Sequence, residues 1–423
     1  MTELLLGLDV GTSSTKAVLA TPDGEPLATA EREHPLELPR PGWAEHDPDR
    51  SWWGDCVALC KELLATAQGK VAAVCCSGIG PCVLAADGRG RPLRRSILYG
   101  IATRATREIH ELNDLLGADE ILLRCGSPLS SQAVGPKLAW LRRNEPEVWA
   151  RMRRLYMASS FLVQRLTGEY VLDHHSASQC VPLYDLQQMR WIDEWAAELA
   201  PELPLPRLLW PHEMAGRVKP EAAAETGIPA GTPVAAGTID AWIEALSVGV
   251  SSPGDLMLMY GTTMFMIHVV ADARPHPRLW LTNGVFPGTR TVAAGMATSG
   301  AVTEWFQRLV GDASHEELSA AAAAVPEGSE GLVALPYFAG ERTPSSIRMR
   351  PASCWGSRST TAADTYTGRS SNRWRPAYGT TWRRSAKRAV SRGDWSLSVA
   401  EPGRHFGFRS SPTSPERYRR FPG

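Results

Sequence analysis

The stretch DVGTSSTK, which begins at Asp9, combines a carboxylate, a glycine and several hydroxyl side chains. Gly11 lets the backbone approach a ligand closely. The hydroxyls of Thr12, Ser13 and Ser14 lie beside backbone N–H groups, and such a concave set of donors suits phosphate oxygens. Asp9 could hold Mg²⁺ through water, because Mg²⁺ gives up its water reluctantly. An ordinary hairpin explains the stretch equally well, and it matches neither a P-loop nor a dinucleotide fingerprint.

A second turn of glycine and hydroxyl residues, YGTTMF, places Gly261, Thr262 and Thr263 between two apolar, strand-like runs. Taken alone, a plain hairpin explains this turn better than a phosphate site does. Its interest lies in the pairing, because one such turn occurs in each half of the chain. A duplicated fold, with two domains around a cleft, accounts for both turns.

Asp240 follows a glycine turn and begins a helical pattern in AAGTIDAWIEAL. Aspartate is a favoured N-cap residue, and the spacing alone favours that structural role. The functional alternative makes its carboxylate a general base, which takes a proton from an attacking hydroxyl group. Phosphoryl transfer requires one such base together with groups that position phosphate and metal.

Aromatic residues cluster in PGWAEHDPDRSWW, where the ring of Trp43 could stack on the face of a sugar. Trp52 and Trp53 are predicted to lie in the core. The adjacent His174 and His175 point in different directions, and the histidines of the chain show no metal-binding spacing. A packed or solvated role is therefore expected for these two histidines.

The elements that must position these residues alternate between short aliphatic strands and longer helical patterns, which predicts an α/β fold. ELLLGLDV and KAVLAT are predicted strands on either side of the first turn. A helix is predicted over SWWGDCVALCKELLATAQ, with Ser51 as its N-cap. The boundary between two domains is expected near residues 240–255.

Length and composition are those of a globular protein. The 423 residues suit two or three domains, and the hydrophobic fraction of 43% allows a sizeable core. No apolar run is long enough to span a bilayer, and the first residues read as a strand and not as a signal peptide. The eight cysteines are scattered without a CxxC pair, as expected for reduced thiols in a cytoplasmic protein.

The net charge of zero hides two segments of opposite sign. Residues 345–423 hold fifteen arginines and one lysine against two aspartates and two glutamates, a net charge of +12, so residues 1–344 carry −12. Such a basic tail suggests nucleic acid or an anionic surface as a partner. One leucine in these 79 residues supplies no core, however, so disorder is the expected state of the tail.

From about Leu4 to Pro344 the chain resembles the FGGY carbohydrate kinases, which belong to the superfamily of sugar kinases, actin and Hsp70. Each motif alone is modest evidence, whereas the set in the family's order is specific. The motifs are GLDVGTSSTKAVL, PGWAEHDPDRSWW, KLAWLRRNEPEVW, FLVQRLTGEYVLDHHSAS, GTPVAAGTIDAWIEALSVGV, YGTTMF, GMATSGAVTEWF and LPYFAGERTP.

This resemblance implies an α/β fold of two RNase H-like domains around a cleft, with the second domain incomplete. It implies transfer of a phosphoryl group from ATP, with Mg²⁺, to a sugar or polyol hydroxyl, in a xylulokinase-like reaction. Asp240 is then the catalytic base and Asp9 the residue on the metal side. The residues expected to bind ATP are Asp9, Gly11, Thr12, Ser13, Ser14, Lys16, Gly261, Thr262, Thr263 and Gly300. The residues expected to contact the substrate are Trp43, Arg104 and Asp240.

Three segments follow from the resemblance: a sugar- and phosphate-binding domain over 1–245, a partial ATP-binding domain over 246–344, and a basic, disordered tail over 345–423. The expected partners are a sugar or polyol and a second copy of the chain, with neither nucleic acid nor a membrane. Two other functions stay open. One is a non-catalytic sugar-binding remnant, and the other is an actin- or Hsp70-like ATPase that turns over ATP without sugar.

Two motifs depart from the family's pattern. Where xylulose kinases carry Gln-Met-His-Gly, this chain has IGPC at residues 79–82, without a histidine. In YGIATR, the counterpart of the family's W-x-D-x-R stretch, Arg104 is present but Ala102 replaces the expected aspartate. The missing carboxylate removes an acceptor for sugar hydroxyls, and a hydrogen bond to a charged group contributes about 1.5–3 kcal/mol.

The tail reads as family sequence in a shifted frame. Each new codon is built from the third base of one residue and the first two bases of the next, with G+C-rich codons. Met349–Arg350 then gives Ala, Cys354–Trp355 gives Leu and Trp395–Ser396 gives Val, all at family positions in one frame. A frameshift near residues 344–345 explains the tail better than a nucleic-acid-binding extension, and it implies weak ATP binding and an unstable second domain. Sequencing of this locus decides between the two explanations.

Overall fold

The structure is a computed structural model that describes residues 2–261, 263–296, 299–309, 314–323, 333–335, 353–355, 399–401 and 404–406. The chain divides into two compact units. The first comprises residues 1–247 and 270–291, and the second comprises 248–269 with the described residues after 291. Among the helices of the described residues, none is both long and apolar enough to cross a membrane.

Short strands and helices alternate up to residue 247. The strands are β1 (Glu3–Val10), β2 (Ser14–Ala20), β3 (Pro26–Glu33), β4 (Glu45–His46), β5 (Lys70–Gly78), β6 (Leu84–Ala86), β7 (Ser96–Ile97), β8 (Arg154–Tyr156), β9 (Val171–Asp173), β10 (Tyr184–Asp185), β11 (Arg190–Trp191), β12 (Arg207–Leu209), β13 (Met214–Arg217), β14 (Pro233–Ala235) and β15 (Thr238–Ile239). The helices are α1 (Asp55–Thr66), α2 (Thr106–Leu116), α3 (Ala118–Cys125), α4 (Val134–Asn144), α5 (Pro146–Arg151), α6 (Ala158–Thr167), α7 (His174–Ser178), α8 (Asp193–Leu199), α9 (Pro220–Thr226) and α10 (Asp240–Ser247).

The first unit is built on a mixed sheet with the strand order β13-β14-β5-β1-β2-β3, and β15 also pairs with β5. Strands β1, β14 and β15 run parallel to β5, whereas the β1–β2 and β2–β3 pairs are antiparallel. Because side chains alternate between the two faces, Leu8 and Val10 are buried while Asp9 faces the other side. The register aligns Asp9 with Ser77, and Ser77 with Thr238.

The helical segment after the first hairpin begins earlier than the sequence pattern predicts. The predicted N-cap was Ser51, but a π-helical turn over Pro48–Gly54 precedes α1. The side chain of Asp47 accepts hydrogen bonds of 3.1 and 3.0 Å from two backbone N–H groups of this turn. An aspartate cap followed by proline is a strong start signal, which displaces the boundary toward the N-terminus. Trp52 and Trp53, 0% and 5% exposed, confirm their predicted core positions.

The turn between β14 and β15 requires a glycine. Gly237 has a φ of +66°, and a Cβ atom at this residue would lie 1.8 Å from the backbone oxygen of Cys76 in β5. Any side chain would collide with that oxygen, so β15 approaches β5 only because residue 237 has none. The turn thereby sets Thr238 beside β5, with Asp240 following at the start of α10.

After residue 247 the elements are β16 (Leu256–Tyr260), β17 (Met264–Val270), β18 (Trp280–Asn283), β19 (Arg290–Met296), α11 (Gly300–Leu309), α12 (His315–Ala323), β20 (Val333–Leu335), β21 (Ser353–Trp355), β22 (Val399–Glu401) and β23 (Arg404–Phe406). Antiparallel pairs join β16 to β17, β20 to β21 and β22 to β23. Of the basic tail, residues 345–423, the structure describes only β21, β22 and β23. The disorder predicted for the tail applies to its remaining residues, which lie outside the described residues.

Candidate functional site

Two carboxylates, Asp9 and Asp240, lie at the carboxyl-terminal edge of the parallel strands β1, β5 and β15. Ser77, in β5, donates from Oγ to Oδ1 of Asp9 at 2.7 Å. Asp240 directly follows β15, and its Oδ1 accepts a 2.8 Å hydrogen bond from the backbone N–H of Ala241. Asp240 therefore bonds to the first turn of α10 through Oδ1.

The carboxyl group of Asp240 has a strongly raised pKa. Burial first, and then the negative charge of Asp9, raise the pKa of Asp240 to about 8, while the hydrogen bond from Ala241 opposes the rise. Such a carboxyl keeps its proton near neutral pH until a cation or a ligand offsets the repulsion between the two acids. A pKa near the operating pH is also what an efficient general base requires.

Asp9 and Ser77 line a cavity of about 680 Å³ on the first unit's sheet, and Ile243 of α10 lines it as well. Lys16, which pairs with Asp9 across the β1–β2 hairpin, is a further lining residue. The side chain of Lys16 is 60% exposed, and its Nζ atom lies 3.9 Å from Oε1 of Glu31. The structure therefore brings together Asp9 and Lys16, two of the residues predicted to bind ATP.

The turn between β1 and β2 is a two-residue loop of Thr12 and Ser13. A 2.8 Å hydrogen bond from the N–H of Gly11 to the carbonyl oxygen of Ser14 closes it. Ser13 is exposed, Ser14 is buried, and Oγ1 of Thr12 lies 2.9 Å from the hydroxyl of Tyr99. The sequence pattern assigns no role to Tyr99, and its aromatic ring at the head of YGIATR is the signal that could have found it.

Two buried histidines lie behind this turn. His34 places Nε2 at 3.2 Å from the carbonyl oxygen of Gly11, and His46 places Nε2 at 3.0 Å from that of Thr12. The two rings meet edge to face, with 4.9 Å between their centroids. The motif PGWAEHDPDRSWW contains His46, but its spacing gives no sign of a contact 34 residues earlier in the chain.

The predicted substrate residues Trp43 and Arg104 contact each other. The guanidinium carbon of Arg104 lies 4.0 Å from the ring centroid of Trp43, and Nη1 donates to Oε1 of Glu45 at 2.6 Å. The side chain of Arg104 is only 1% exposed, and burial lowers the pKa of Arg104. Trp43 also meets Trp140 edge to face. None of these contacts reaches Asp240, so a direct contact of Arg104 with substrate stays a prediction.

In the second unit, Gly261 and Gly300 are hydrogen-bonded neighbours. The N–H of Gly300, the first residue of α11, donates to the carbonyl oxygen of Gly261 at 2.7 Å. The N–H of Gly261 in turn donates to the carbonyl oxygen of Thr263 at 2.9 Å. The structure thus brings these three predicted residues together, while Thr262 lies outside the described residues.

A buried polar cluster holds β15 in place. Oδ1 of Asp173 accepts from Oγ1 of Thr238 at 2.7 Å and from the N–H of Ser176 at 2.9 Å, which caps α7. Burial raises the pKa of Asp173 to about 6, against the effect of these hydrogen bonds. His175, fully buried, places Nδ1 at 2.7 Å from the carbonyl oxygen of Asn283. Of the packed and solvated roles expected for this histidine, His175 has the packed one.

Asp9 is the residue best placed to hold a magnesium ion. The part of the chain that the structure describes contains no group of three or more His, Cys, Asp or Glu side chains that could bind a metal ion by themselves. Burial is the main cause of the raised pKa of Asp240, and the negative charge of Asp9 is the second, which a divalent cation would offset. One or two carboxylates, completed by water and phosphate oxygens, are a usual Mg²⁺ environment. The donor set therefore fits an ion held jointly with phosphate.

Comparison with known proteins gives consistent matches. Residues 4–247 match the family described as "FGGY family of carbohydrate kinases, N-terminal domain". A xylulose kinase of Lactococcus lactis is 28% identical over 350 residues, covering 80% of this chain and 68% of that protein. A glycerol kinase of Nocardia farcinica is 28% identical over 366 residues, covering 83% and 71%. The crystal structure of a xylulose kinase from Rhodospirillum rubrum gives a TM-score of 0.80 at 30% identity, covering 94% of this chain and 86% of that one.

Proposed function

We propose, from the premise that the chain belongs to the FGGY family of carbohydrate kinases, that Asp240 is the general base of a sugar or polyol kinase. The family membership makes the chain an enzyme of the class that phosphorylates sugars and polyols with ATP. The similarity to the Rhodospirillum rubrum structure confirms the predicted α/β fold, which in this family consists of two RNase H-like domains.

One observation carries the role of Asp240: its carboxyl stands beside Asp9 at the edge of β1, β5 and β15, with a pKa raised to about 8. The ionised form of Asp240 is repelled by Asp9, so a proton taken from an attacking hydroxyl relieves that repulsion. A positioned base of this kind contributes about 10²- to 10⁴-fold to the rate of a proton-dependent step.

The phosphate groups of ATP bind at the first turn, through the backbone N–H groups and hydroxyls of Thr12 and Ser13. Asp9 would hold Mg²⁺ through water, and the ion would supply charge neutralisation to the phosphate oxygens. Lys16, in the same cavity as Asp9, adds a positive charge. The Gly261 turn, held by Gly300, serves as the corresponding phosphate turn of the second unit.

The relatives define the acceptor as a class. Several xylulose kinases, a gluconokinase and a glycerol kinase resemble this chain at 25–28% identity, which supports a sugar or polyol acceptor in a xylulokinase-like reaction. Arg104, being buried, serves the substrate side by holding Glu45 and Trp43 in place. We assign the protein to the cytoplasm, which agrees with the free thiols of the cysteines that the structure describes.

Sugar-dependent release of ADP tests this proposal. The assay uses the purified chain of 423 residues and a second chain in which the reading frame after residue 344 is restored, each with D-xylulose and with glycerol. Asp240→Asn is expected to lower kcat about 10²- to 10⁴-fold, with KM for the acceptor little changed. Glu62→Gln, at an exposed position on α1 away from Asp240, is the matched control and keeps its turnover. Full turnover by Asp240→Asn in the frame-restored chain contradicts the proposal.

A non-catalytic sugar-binding remnant is the second candidate function. The observation that favours it is the basic segment 345–423, which stands where the family's sequence would continue. Calorimetry with sugars and without ATP separates the two functions. Sugar binding by the chain of 423 residues, without any sugar-dependent ADP release, assigns it to the remnant, whereas turnover excludes that assignment.

A further inference from the structure

We infer that His34 and His46 are positioning residues that orient the backbone N–H groups of Thr12 and Ser13 toward a bound phosphate. The inference rests on the proposed phosphate-binding function of the first turn. The two buried imidazoles hold the peptide planes of the turn in a fixed orientation before a ligand binds. The histidines contact the side of the turn opposite to the phosphate.

The planar peptide unit determines where the N–H groups of the turn point. In a trans peptide unit the C=O and the following N–H point in opposite directions. Nε2 of His34 lies 3.2 Å from the carbonyl oxygen of Gly11, so the N–H of Thr12 points away from His34. Nε2 of His46 lies 3.0 Å from the carbonyl oxygen of Thr12, so the N–H of Ser13 points away from His46. Two successive N–H groups are thus turned outward from the buried side.

The protonation of His46 follows from its two contacts. The indole Nε1–H of Trp52 donates to Nδ1 of His46 at 3.1 Å, which makes Nδ1 an acceptor without a proton. The ring proton therefore sits on Nε2 and is donated to the carbonyl oxygen of Thr12. Burial and the neighbouring His34 lower the pKa of His46 to about 4, so this neutral tautomer persists at neutral pH.

Nε2 of His34 also carries a proton, but its ring has different partners. Its Nδ1 lies 3.1 Å from Oδ2 of Asp55 and 3.4 Å from Oγ1 of Thr15, whose own proton is donated to the carbonyl oxygen of Ser51. The carbonyl oxygen of Gly11 can only accept a hydrogen bond, so its contact with Nε2 requires the proton on that nitrogen. Nδ1 then either donates to the Asp55 carboxylate or accepts a proton that Asp55 holds. In both states Nε2 of His34 carries a proton, which is donated to the carbonyl oxygen of Gly11.

The outward N–H groups are available to a ligand. No described residue accepts a hydrogen bond from the N–H of Thr12 or of Ser13, and Ser13 is exposed. Successive backbone N–H groups that are turned to the outside of a tight turn can form an anion-binding concavity. Fixing them in advance spares the reorganisation that would otherwise weaken phosphate binding, because preorganised donors need not move when charge arrives.

Titration with magnesium tripolyphosphate, followed by calorimetry, tests the inference on the full chain. This probe carries the phosphate groups without the adenosine. His34→Leu and His46→Leu remove the donor behind the turn, and we expect each to weaken binding about 10- to 100-fold, the factor for a lost hydrogen bond to a charged group. His34→Gln and His46→Gln keep an N–H donor and should bind within about threefold of wild type. His110→Leu, an exposed histidine on α2, is the matched control and binds as wild type does.

The outcomes separate a positioning role from loss of fold. Thermal unfolding of each variant establishes that it is folded, and the glutamine variants decide the matter if a leucine variant unfolds. Leucine variants that are folded and bind tripolyphosphate like wild type overturn the inference, as does a wild-type chain that fails to bind the probe. Sugar-dependent ADP release, measured on the same proteins, reads the proposed kinase function independently. If ADP release is absent but tripolyphosphate binds as expected, the kinase proposal fails and the inference about the histidines stands.

Discussion

The hydroxyl of Thr238 donates a 2.7 Å hydrogen bond to Oδ1 of Asp173, and both side chains are buried. The same carboxylate oxygen accepts from the N–H of Ser176 at the start of α7. Asp240 lies two residues after Thr238 and is the first residue of α10, directly after the short strand β15. This single bond therefore connects the strand that carries the proposed base to the N-terminus of α7.

Thr238→Val removes this hydroxyl and keeps the shape of the side chain. Asp173 then loses a donor, so its pKa rises further above about 6, and the folded state is expected to lose about 1–3 kcal/mol, the penalty for a buried polar group without its partner. Urea unfolding at pH 7 measures the loss, and Thr238→Ser, which keeps the hydroxyl, should lose less. Equal stability of the valine and wild-type proteins would contradict the role of this bond.

Asp240→Asn should stabilise the protein in alkaline solution. The folded-state pKa of Asp240, about 8, lies above the ordinary value of 3.8, so between these pH values the native state holds a proton that the unfolded chain releases. The stability contributed by Asp240 therefore falls as the pH rises from about 4 to about 8. Asparagine carries no charge in this range.

Urea midpoints at pH 8.5 and pH 5 measure this effect. Asp240→Asn is expected to exceed wild type at pH 8.5, and the difference should shrink at pH 5. Glu62→Gln, an exposed position on α1, is the control and should show no such trend. A constant difference between Asp240→Asn and wild type at both pH values would argue against a raised pKa.

Gly237→Ala should unfold the edge that carries Asp240. The Cβ atom would lie 1.8 Å from the backbone oxygen of Cys76, and backbone cannot give way as a flexible side chain can. Gly24 is a matched control, because its φ of +85° is also positive but nothing lies within 4 Å of the added Cβ. We expect Gly24→Ala to lose about 1–2 kcal/mol from the strained φ alone, and Gly237→Ala to lose clearly more. Similar unfolding temperatures for the two variants would exclude the collision.

Arg104→Met should destabilise the first unit strongly. It removes one of the two arginines that pair with the buried Glu45, the other being Arg94, and the loss of a hydrogen bond to a charged group costs about 1.5–3 kcal/mol. The control is Arg95→Met, because Arg95 is half exposed and pairs with Glu37 at 2.8 Å. The exposed pair should contribute less than about 1 kcal/mol. Denaturant unfolding of both variants compares them, and equal losses would mean that burial does not decide the strength of the pair.

The local features of the site could be read from the sequence. Short aliphatic runs predict β1 and β2, and the glycine with its hydroxyl neighbours predicts the turn between them. Asp240 was open to two roles, and the structure shows it bonded to the backbone of α10 while it faces Asp9. These features depend on residues within a few positions of one another, so the local pattern contains them.

The long-range contacts of the turn could not be predicted in this way. Thr12 meets Tyr99 across 87 residues, and His46 meets the turn across 34. Such contacts depend on strand register and on how loops pack over the sheet, and neither leaves a periodic trace in a single sequence. The start of the helical segment is also hard to predict from the sequence, because both Asp47 and Ser51 are suitable N-cap residues and the structure uses Asp47.

The pairing of β15 with β5 also governs the order in which the site is assembled. Thr238 and Ser77 are register partners although 161 residues separate them, so this edge has a high contact order and closes slowly. The first turn and its two histidines lie within the first 46 residues. A chain that emerges from the ribosome therefore contains the proposed phosphate turn long before β15 can pair with β5 and place Asp240, the proposed base. On the proposed function, a chain released before β15 forms would have the phosphate turn without the base that transfer requires.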